Sequence, residues 1–309
     1  MDKSKTLKTK EPYIGSVRFF KNLILLFVII LIAVPTVFAF VFWNQSKALA
    51  DDLQEQQAQM TLAQEQEEQE EQLQAEAMPY QELYPDFYVQ EPMPEQTSEK
   101  DVMYLTFDDG PSDHTDQILS ILKEKDVKAT FFVVTQGGEW DVQMMKQIVA
   151  DGHTLGMHSY SHDYTKIYSS VEEFLADYYQ LFTLIRDEVG VTPTVFRFPG
   201  GSLNAYNQGV YEEIVAEMLR RGFVYYDWNL SAQDAASVPP SKGEILQSIL
   251  GYSDNKSRGI VLMHDTNACK TTLEALPELI DGLRNQGFHF DRIDRSVKPI
   301  FFSYMIQKE

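Results

Sequence analysis

Two neighbouring carboxylates close the apolar run YLTFDDGPSD (104–113): Asp108 and Asp109, followed at once by Gly110-Pro111. Adjacent like charges at the end of a buried strand cost free energy unless each has its own partner. As an isolated match, Asp-Gly and Gly-Pro are turn signals that simply close a strand. The chemical reading needs partners elsewhere. MHSYSH offers His158 and His162, four residues apart. On a helical turn they would share one face, close enough to hold one ion. A carboxylate from another strand would complete a set of two His and one Asp with an open position, the pattern of catalytic zinc. Taken alone, two surface or hydrogen-bonding histidines are the simpler reading. RFPGG adds Arg197, Pro199 and Gly200, WNLSAQD adds Trp228 and Asp234, and LMHD adds Leu262, His264 and Asp265.

The elements that carry these residues are legible from periodicity. Short apolar strands are expected at 102–107, 129–134, 153–157, 195–198, 223–227, 259–263 and 287–290. Helix-period segments intervene at about 115–125, 139–150, 171–189, 207–221, 241–250 and 271–286. Repeated β-then-α units require right-handed crossovers and a mainly parallel sheet, either an irregular barrel or an open doubly wound sheet. Both architectures put chemistry at the carboxyl ends of strands. Five strand ends deliver the polar groups named above to that one face, which is more than chance supplies.

In order and separation, TFDDGP, HSYSH, RFPGG and LMHD resemble the polysaccharide deacetylases of carbohydrate esterase family 4, the NodB-homology domain. The resemblance covers about residues 100–290. It implies a distorted (β/α)7 barrel and removal of acetyl groups from N-acetylglucosamine units of peptidoglycan, chitin or related polymers. It also implies roles. Asp108 would be the catalytic base, and Asp109, His158 and His162 the ligands of a divalent metal, zinc first, with cobalt, nickel or manganese as alternatives. Arg197 would position Asp108, and the backbone around Pro199 and Gly200 would help hold the oxyanion. His264 would be the general acid tuned by Asp234, Leu262 would line the acetyl methyl pocket, and Trp228 would form part of the substrate wall. The fourth motif departs from the family pattern, because Ala235 follows Asp234 where relatives carry a second Trp.

The chemistry agrees with these residue types. An amide is a poor electrophile, so its hydrolysis needs an activated water, a polarised carbonyl and a protonated leaving nitrogen. A metal on Asp109, His158 and His162 supplies the first two. Asp108, kept ionised by the metal and Arg197, accepts the water proton, and protonated His264 donates to the departing nitrogen. His114, His153 and His289 read as ordinary hydrogen-bonding histidines. Tyr160, Tyr164 and Tyr168 read equally as a sugar-cleft lining or as aromatic packing. Cys269, the single cysteine, reads as packing and excludes a disulfide framework.

The chain of 309 residues carries a net charge of −20, unevenly placed. Residues 1–43 hold six basic residues against Asp2 and Glu11, whereas 44–100 hold fourteen acidic residues against Lys47 and Lys100. An acidic body excludes nucleic acid as the expected partner. From Asn22 to Ser46 there is no charge, and 23–43 gives 21 predominantly apolar residues, enough to span a bilayer core of roughly 30 Å. The expected organisation is a basic cytoplasmic segment (1–21), a transmembrane signal anchor (22–46), a Gln/Glu-rich stalk and Pro-containing linker (47–99), and a deacetylase domain (100–309). A cleaved signal peptide is the alternative to the anchor. The stalk reads as a polar helix or disordered chain, with a short self-associating coiled coil through Leu49, Leu53 and Met60 as a further option.

The expected protein is therefore a single-pass, membrane-anchored hydrolase with an extracellular catalytic domain, acting on peptidoglycan glycan strands. The alternatives are the same chemistry on poly-N-acetylglucosamine, chitin oligomers or acetylxylan, or a non-catalytic wall-binding protein. The intact set Asp108, Asp109, His158, His162, Arg197 and His264 argues against the last.

Overall fold

The computed structural model describes residues 17–75, 78–135 and 137–302. The chain divides into two units, Met1–Ala77 and Met78–Glu309. In the first, helix α1 runs unbroken over Val17–Ala75, so the apolar span and the acidic stalk are one helix. Its absence of Gly and its run of Gln, Glu, Leu and Ala favour continuation past Ser46. Its apolar side chains are exposed all round, from Leu23 to Trp43, and the helix is long and apolar enough to cross a membrane. Pro35 lies inside it, and the Thr36 hydroxyl donates to the Ile32 carbonyl at 3.0 Å. The expected cytoplasmic segment lies outside the described residues up to position 16.

The second unit alternates strand and helix. In chain order it runs β1 (Val102–Asp108), α2 (Thr115–Glu124), β2 (Thr130–Val134), α3 (Glu139–Ala150), β3 (Thr154–Ser159), α4 (Tyr164–Ile167) and α5 (Val171–Leu184), which continues into a π-turn at Ile185–Val189. Then follow β4 (Val195–Phe196), α6 (Tyr211–Arg220), β5 (Val224–Tyr225), β6 (Leu230–Ser231), α7 (Lys242–Ser253), β7 (Arg258–His264), α8 (Lys270–Asn285) and β8 (His289–Asp291). All strand pairs are parallel, in the order β5-β4-β3-β2-β1-β7-β6, with β8 also on β1. β6 has no counterpart among the seven expected strands, because two residues carry too little pattern to register.

The two edge strands β5 and β6 do not pair with each other, so among the described residues the ladder is a half-barrel rather than a closed ring. The C-terminal segment bridges the ends that remain. At the β5 end the Tyr226 hydroxyl reaches the carbonyls of Asp294 and Val297 and Asp227 N–H donates to the Ile300 carbonyl at 3.0 Å, and on the other side Arg258 Nη1 of β7 donates to the Lys298 carbonyl at 2.6 Å.

β1 is buried at every position, which is why its sequence shows no alternation. Met103, Leu105 and Phe107 face the core under the helices, while Val102 and Tyr104 join Phe132, Val195, Val224, Tyr226 and Ile260 in the concave interior. Strand pleating then puts Thr106 and Asp108 on that interior face, at its carboxyl end. The amphipathic helices seal the outer core. In α2, for example, Ile118, Leu119 and Leu122 are buried, each contributing about 1.5–3 kcal/mol of transfer free energy.

Residues 78–99, expected as an extended linker, belong to this unit instead. Phe87 is fully buried against Phe182 and Phe223, and Tyr80 and Val89 are nearly so. Buried Arg221 donates to the carbonyls of Tyr80, Leu83, Tyr84 and Phe87. The prolines of this stretch break regular structure but do not stop its aromatic residues from packing. The boundary therefore moves from residue 100 to Met78.

Candidate active site

Asp108 closes β1 facing the interior, and Asp109 turns out of the strand with φ +70, its N–H donating to the Phe132 carbonyl at 3.1 Å. The turn that follows is locked by Asp265, whose carboxylate accepts from Ser112 Oγ and Thr115 Oγ1 at 2.6 Å each. Gly110 is required there, since a Cβ would strike that carboxylate. The Asp265 N–H also donates to the Asp108 carbonyl at 2.8 Å, tying the ends of β1 and β7 together.

The two carboxylates take different principal partners, although Asp108 Oδ2 also comes within 3.8 Å of His158 Nε2. Asp108 Oδ1 accepts from Arg197 Nη1 at 2.8 Å, both side chains being sealed from solvent. Each Arg197 nitrogen is engaged: Nε donates to the Tyr226 carbonyl at 2.8 Å, Nη1 also to Thr106 Oγ1 at 2.7 Å and Nη2 to the Asp227 carbonyl at 3.4 Å, and the guanidinium lies over Phe132 at 4.4 Å. Burial raises the Asp108 carboxyl above its ordinary value, against the opposing pull of the Arg197 and His264 charges.

Asp109 Oδ1 instead faces two imidazoles, 3.2 Å from His162 Nε2 and 3.5 Å from His158 Nε2. Burial drives the His158 imidazole down to about 3, so it is neutral. Its Nδ1 sits 2.9 Å from the Arg197 carbonyl, which can only accept, so Nδ1 carries the proton and Nε2 presents a lone pair to Asp109. Among the described residues, Asp109 Oδ1 and His162 Nε2 are buried with no hydrogen-bond partner. Three donor atoms within 4.8 Å of one another, two of them orphaned, fit a divalent cation.

The His pair is not on a helix, contrary to the sequence reading. His158 is inside β3, and His162 sits in a left-handed turn with φ 55. Asp163 caps α4 by accepting from Thr165 and Lys166 N–H, so the helix begins only after the second histidine.

Across the mouth, His264 ends β7. Its Nδ1 is 2.7 Å from Asp234 Oδ1, and its N–H donates to Asp234 Oδ2 at 2.9 Å. Thr272 Oγ1 holds the same Oδ2 at 2.7 Å. Burial pulls the imidazole down, but the Asp234 hydrogen bond and the charges of Asp108, Asp234 and Asp109 outweigh it, raising His264 to about 9. Burial pushes Asp234 up, and its bonds to His264 and Thr272 more than reverse this, leaving it lowered.

The remaining expected residues line the same end. Leu262, nearly buried, precedes His264 by two on the interior face of β7. Pro199 is buried, its carbonyl accepting from the Tyr168 hydroxyl at 2.8 Å. Gly200 is exposed with φ +77, and a Cβ there would meet the Tyr164 ring. Trp228 is half-buried against Phe302, with the Arg197 guanidinium 5.6 Å from its ring. Ala235 is exposed, and its methyl group offers no aromatic surface at the position after Asp234. Tyr164 packs edge-on between His162 and the exposed Tyr206. Cys269 packs, buried, at the start of α8. His153 lies outside the site, its Nδ1 accepting from Ala129 N–H at 3.1 Å.

Sequence reasoning missed Asp227. It is fully buried, accepts from Ser202 N–H at 2.9 Å and Phe302 N–H at 2.8 Å, and so ties the Gly200–Gly201 turn and the C-terminal segment to the end of β5. An acidic residue directly after the apolar run FVYY was the available signal.

Residues 95–219 match the family described as polysaccharide deacetylase. The peptidoglycan-N-acetylglucosamine deacetylase of Bacillus cereus is 32% identical over 197 residues, covering 62% of this chain and 69% of that protein. The bifunctional xylanase/deacetylase of Pseudobutyrivibrio xylanivorans is 34% identical over 196 residues, 63% of this chain and 30% of that one. The crystal structure of the catalytic domain of peptidoglycan N-acetylglucosamine deacetylase from Eubacterium rectale superimposes with a TM-score of 0.64 at 31% identity, covering 68% of this chain and 96% of that one. With two adjacent carboxylates at the mouth of a parallel half-barrel and these similarities, the chain belongs to the polysaccharide deacetylase family, carbohydrate esterase family 4.

Proposed function

We propose that this protein removes N-acetyl groups from the N-acetylglucosamine of peptidoglycan, with Asp108 as base, His264 as acid and a metal held by Asp109, His158 and His162. One observation carries the reading: Asp108 is paired to Arg197, while its neighbour Asp109 faces the Nε2 atoms of two imidazoles. Zinc suits this donor set best, with cobalt, nickel or manganese as alternatives. A bound ion would polarise the acetyl carbonyl and acidify the attacking water.

The chain's own groups supply the proton transfers. Asp108 uses Oδ2, the oxygen not held by Arg197, to take the proton of the attacking water. The Gly200 N–H offers a donor to the developing oxyanion. His264, its Nδ1 held by Asp234, passes the Nε2 proton to the amide nitrogen as the C–N bond breaks, giving acetate and a free amine. Pro199, Leu262 and Trp228 enclose the acetyl group and the sugar bearing it.

Helix α1 acts in this reading as an uncleaved anchor. The basic residues of 1–21 stay cytoplasmic and the unit from Met78 onward lies outside. The similarity to a bifunctional xylanase/deacetylase favours acetylxylan as the second substrate to examine. The test is acetate release by the full chain in detergent from purified peptidoglycan, with mass spectrometry of the muropeptides, run beside acetylxylan. Glucosamine-containing muropeptides are expected. Release from xylan alone would replace the substrate, and release from neither would overturn the peptidoglycan reading and move the assay to chitin oligomers and poly-N-acetylglucosamine.

A further inference from the structure

Asp177 and Tyr178, consecutive residues of α5, are both wholly buried, and the reaction uses neither. A carboxylate on the buried face of a helix is rare unless its oxygens are fully satisfied. Asp177 Oδ1 accepts from Ser159 Oγ at 2.7 Å and from Tyr160 N–H at 2.8 Å, and Oδ2 accepts from Ser161 N–H at 3.0 Å. Ser159 Oγ in turn accepts the His162 N–H at 2.7 Å. The left-handed turn that carries His162 is therefore wound around one carboxylate.

Tyr178 acts on the other histidine. Its hydroxyl reaches the His158 carbonyl at 2.7 Å and the Arg197 carbonyl at 2.9 Å. The latter is the acceptor that fixes the proton on His158 Nδ1. All of these bonds end on residues 158–162 or on that one carbonyl, and none serves α5 itself.

We propose that Asp177 and Tyr178 are the positioning residues of the metal site, α5 acting as the template that aims both Nε2 atoms at Asp109 Oδ1. The proposal rests on the reading of Asp109, His158 and His162 as the metal set. Carboxylates and hydroxyls that orient metal-binding histidines from behind typically change affinity by roughly 10–100-fold when removed.

The test is titration of the metal-stripped full chain in detergent with Co2+, following the visible absorption of the bound ion. Asp177→Asn keeps the shape but turns one acceptor into a donor against Ser161 or Tyr160 N–H, and should weaken binding about 10–100-fold and alter the spectrum. Tyr178→Phe keeps the ring and should weaken it by up to about 10-fold, giving a decisive variant even if the first does not fold. A purely structural role would lower Tm while leaving Co2+ affinity and spectrum unchanged in the folded variants, and that result overturns the proposal. Wild-type protein that binds no Co2+ would instead overturn the metal assignment itself.

Discussion

Arg197 Nη1 meets Asp108 Oδ1 at 2.8 Å with neither side chain reachable by solvent, while Asp109, one residue on, turns toward His158 and His162. One backbone step thus separates a carboxylate held by a guanidinium from one set against two imidazoles.

That separation predicts two distinguishable variants. Asp108→Asn should keep its metal, measured by atomic absorption, while kcat falls roughly 10²–10⁴-fold, the scale of general-base loss. Added metal should recover nothing. Asp109→Asn should lose metal affinity, and excess metal should restore part of the activity. Equal rescue of both would make the pair a shared ligand set and leave the base to be found elsewhere.

The pH–rate profile should carry the signature of His264. Its imidazole must be protonated to donate, so kcat/KM should decline on the alkaline side as pH rises through the raised value of about 9. A bound metal offsets the Asp109 charge, so the limb should lie at or somewhat below that point. Asp234→Asn removes the hydrogen-bonded carboxylate that raises His264, and the alkaline limb should move to lower pH with metal content unchanged. An unmoved limb would assign it to another group.

His153 predicts a stability effect of opposite sign. Burial lowers its imidazole to about 4, below the ordinary 6.5. The unfolded chain therefore takes up this proton first as pH falls. Stability from neutral His153 is complete above about pH 6.5 and is lost progressively toward pH 4. His153→Gln, which keeps an acceptor for Ala129 N–H, should show a flatter fall in urea midpoint between those values. Parallel falls in both proteins would remove His153 from the account.

The docked segment 78–99 predicts a protease pattern. Because Arg221 holds the carbonyls of Tyr80, Leu83, Tyr84 and Phe87, limited proteolysis should spare 80–89 in the wild type. Arg221→Ala leaves Glu217 buried without one of its partners, should cost about 3–5 kcal/mol, and should open 80–89 to cutting. Cleavage there in the wild type would mean that the segment is not docked in solution.

Membrane orientation is checked on intact cells. In the proposed orientation, with the basic residues of 1–21 inside, external protease should remove the unit beginning at Met78 without permeabilisation. Protection until lysis would invert the topology.

The sequence by itself determined the alternation of strands and helices and the residues that reach the mouth of the sheet. Segment 139–150 is helical over the range its periodicity predicts, and β1 extends the expected 102–107 by a single residue, Asp108. Such elements are legible because local pattern and burial agree along them. Tertiary structure decided what depends on partners distant in sequence. Arg221 lies more than 130 residues from the carbonyls it gathers, so the composition of 78–99 could only suggest a linker. His158 and His162 looked like a helical pair because their spacing is four, yet Asp177 on a later helix winds the chain between them into a left-handed turn. The partners of Asp108 and Asp109 likewise arise only once the sheet brings the carboxyl ends of β1, β3 and β4 to one mouth, because a strand's pleat fixes which face a side chain takes but not what the other strands of the sheet place across that face.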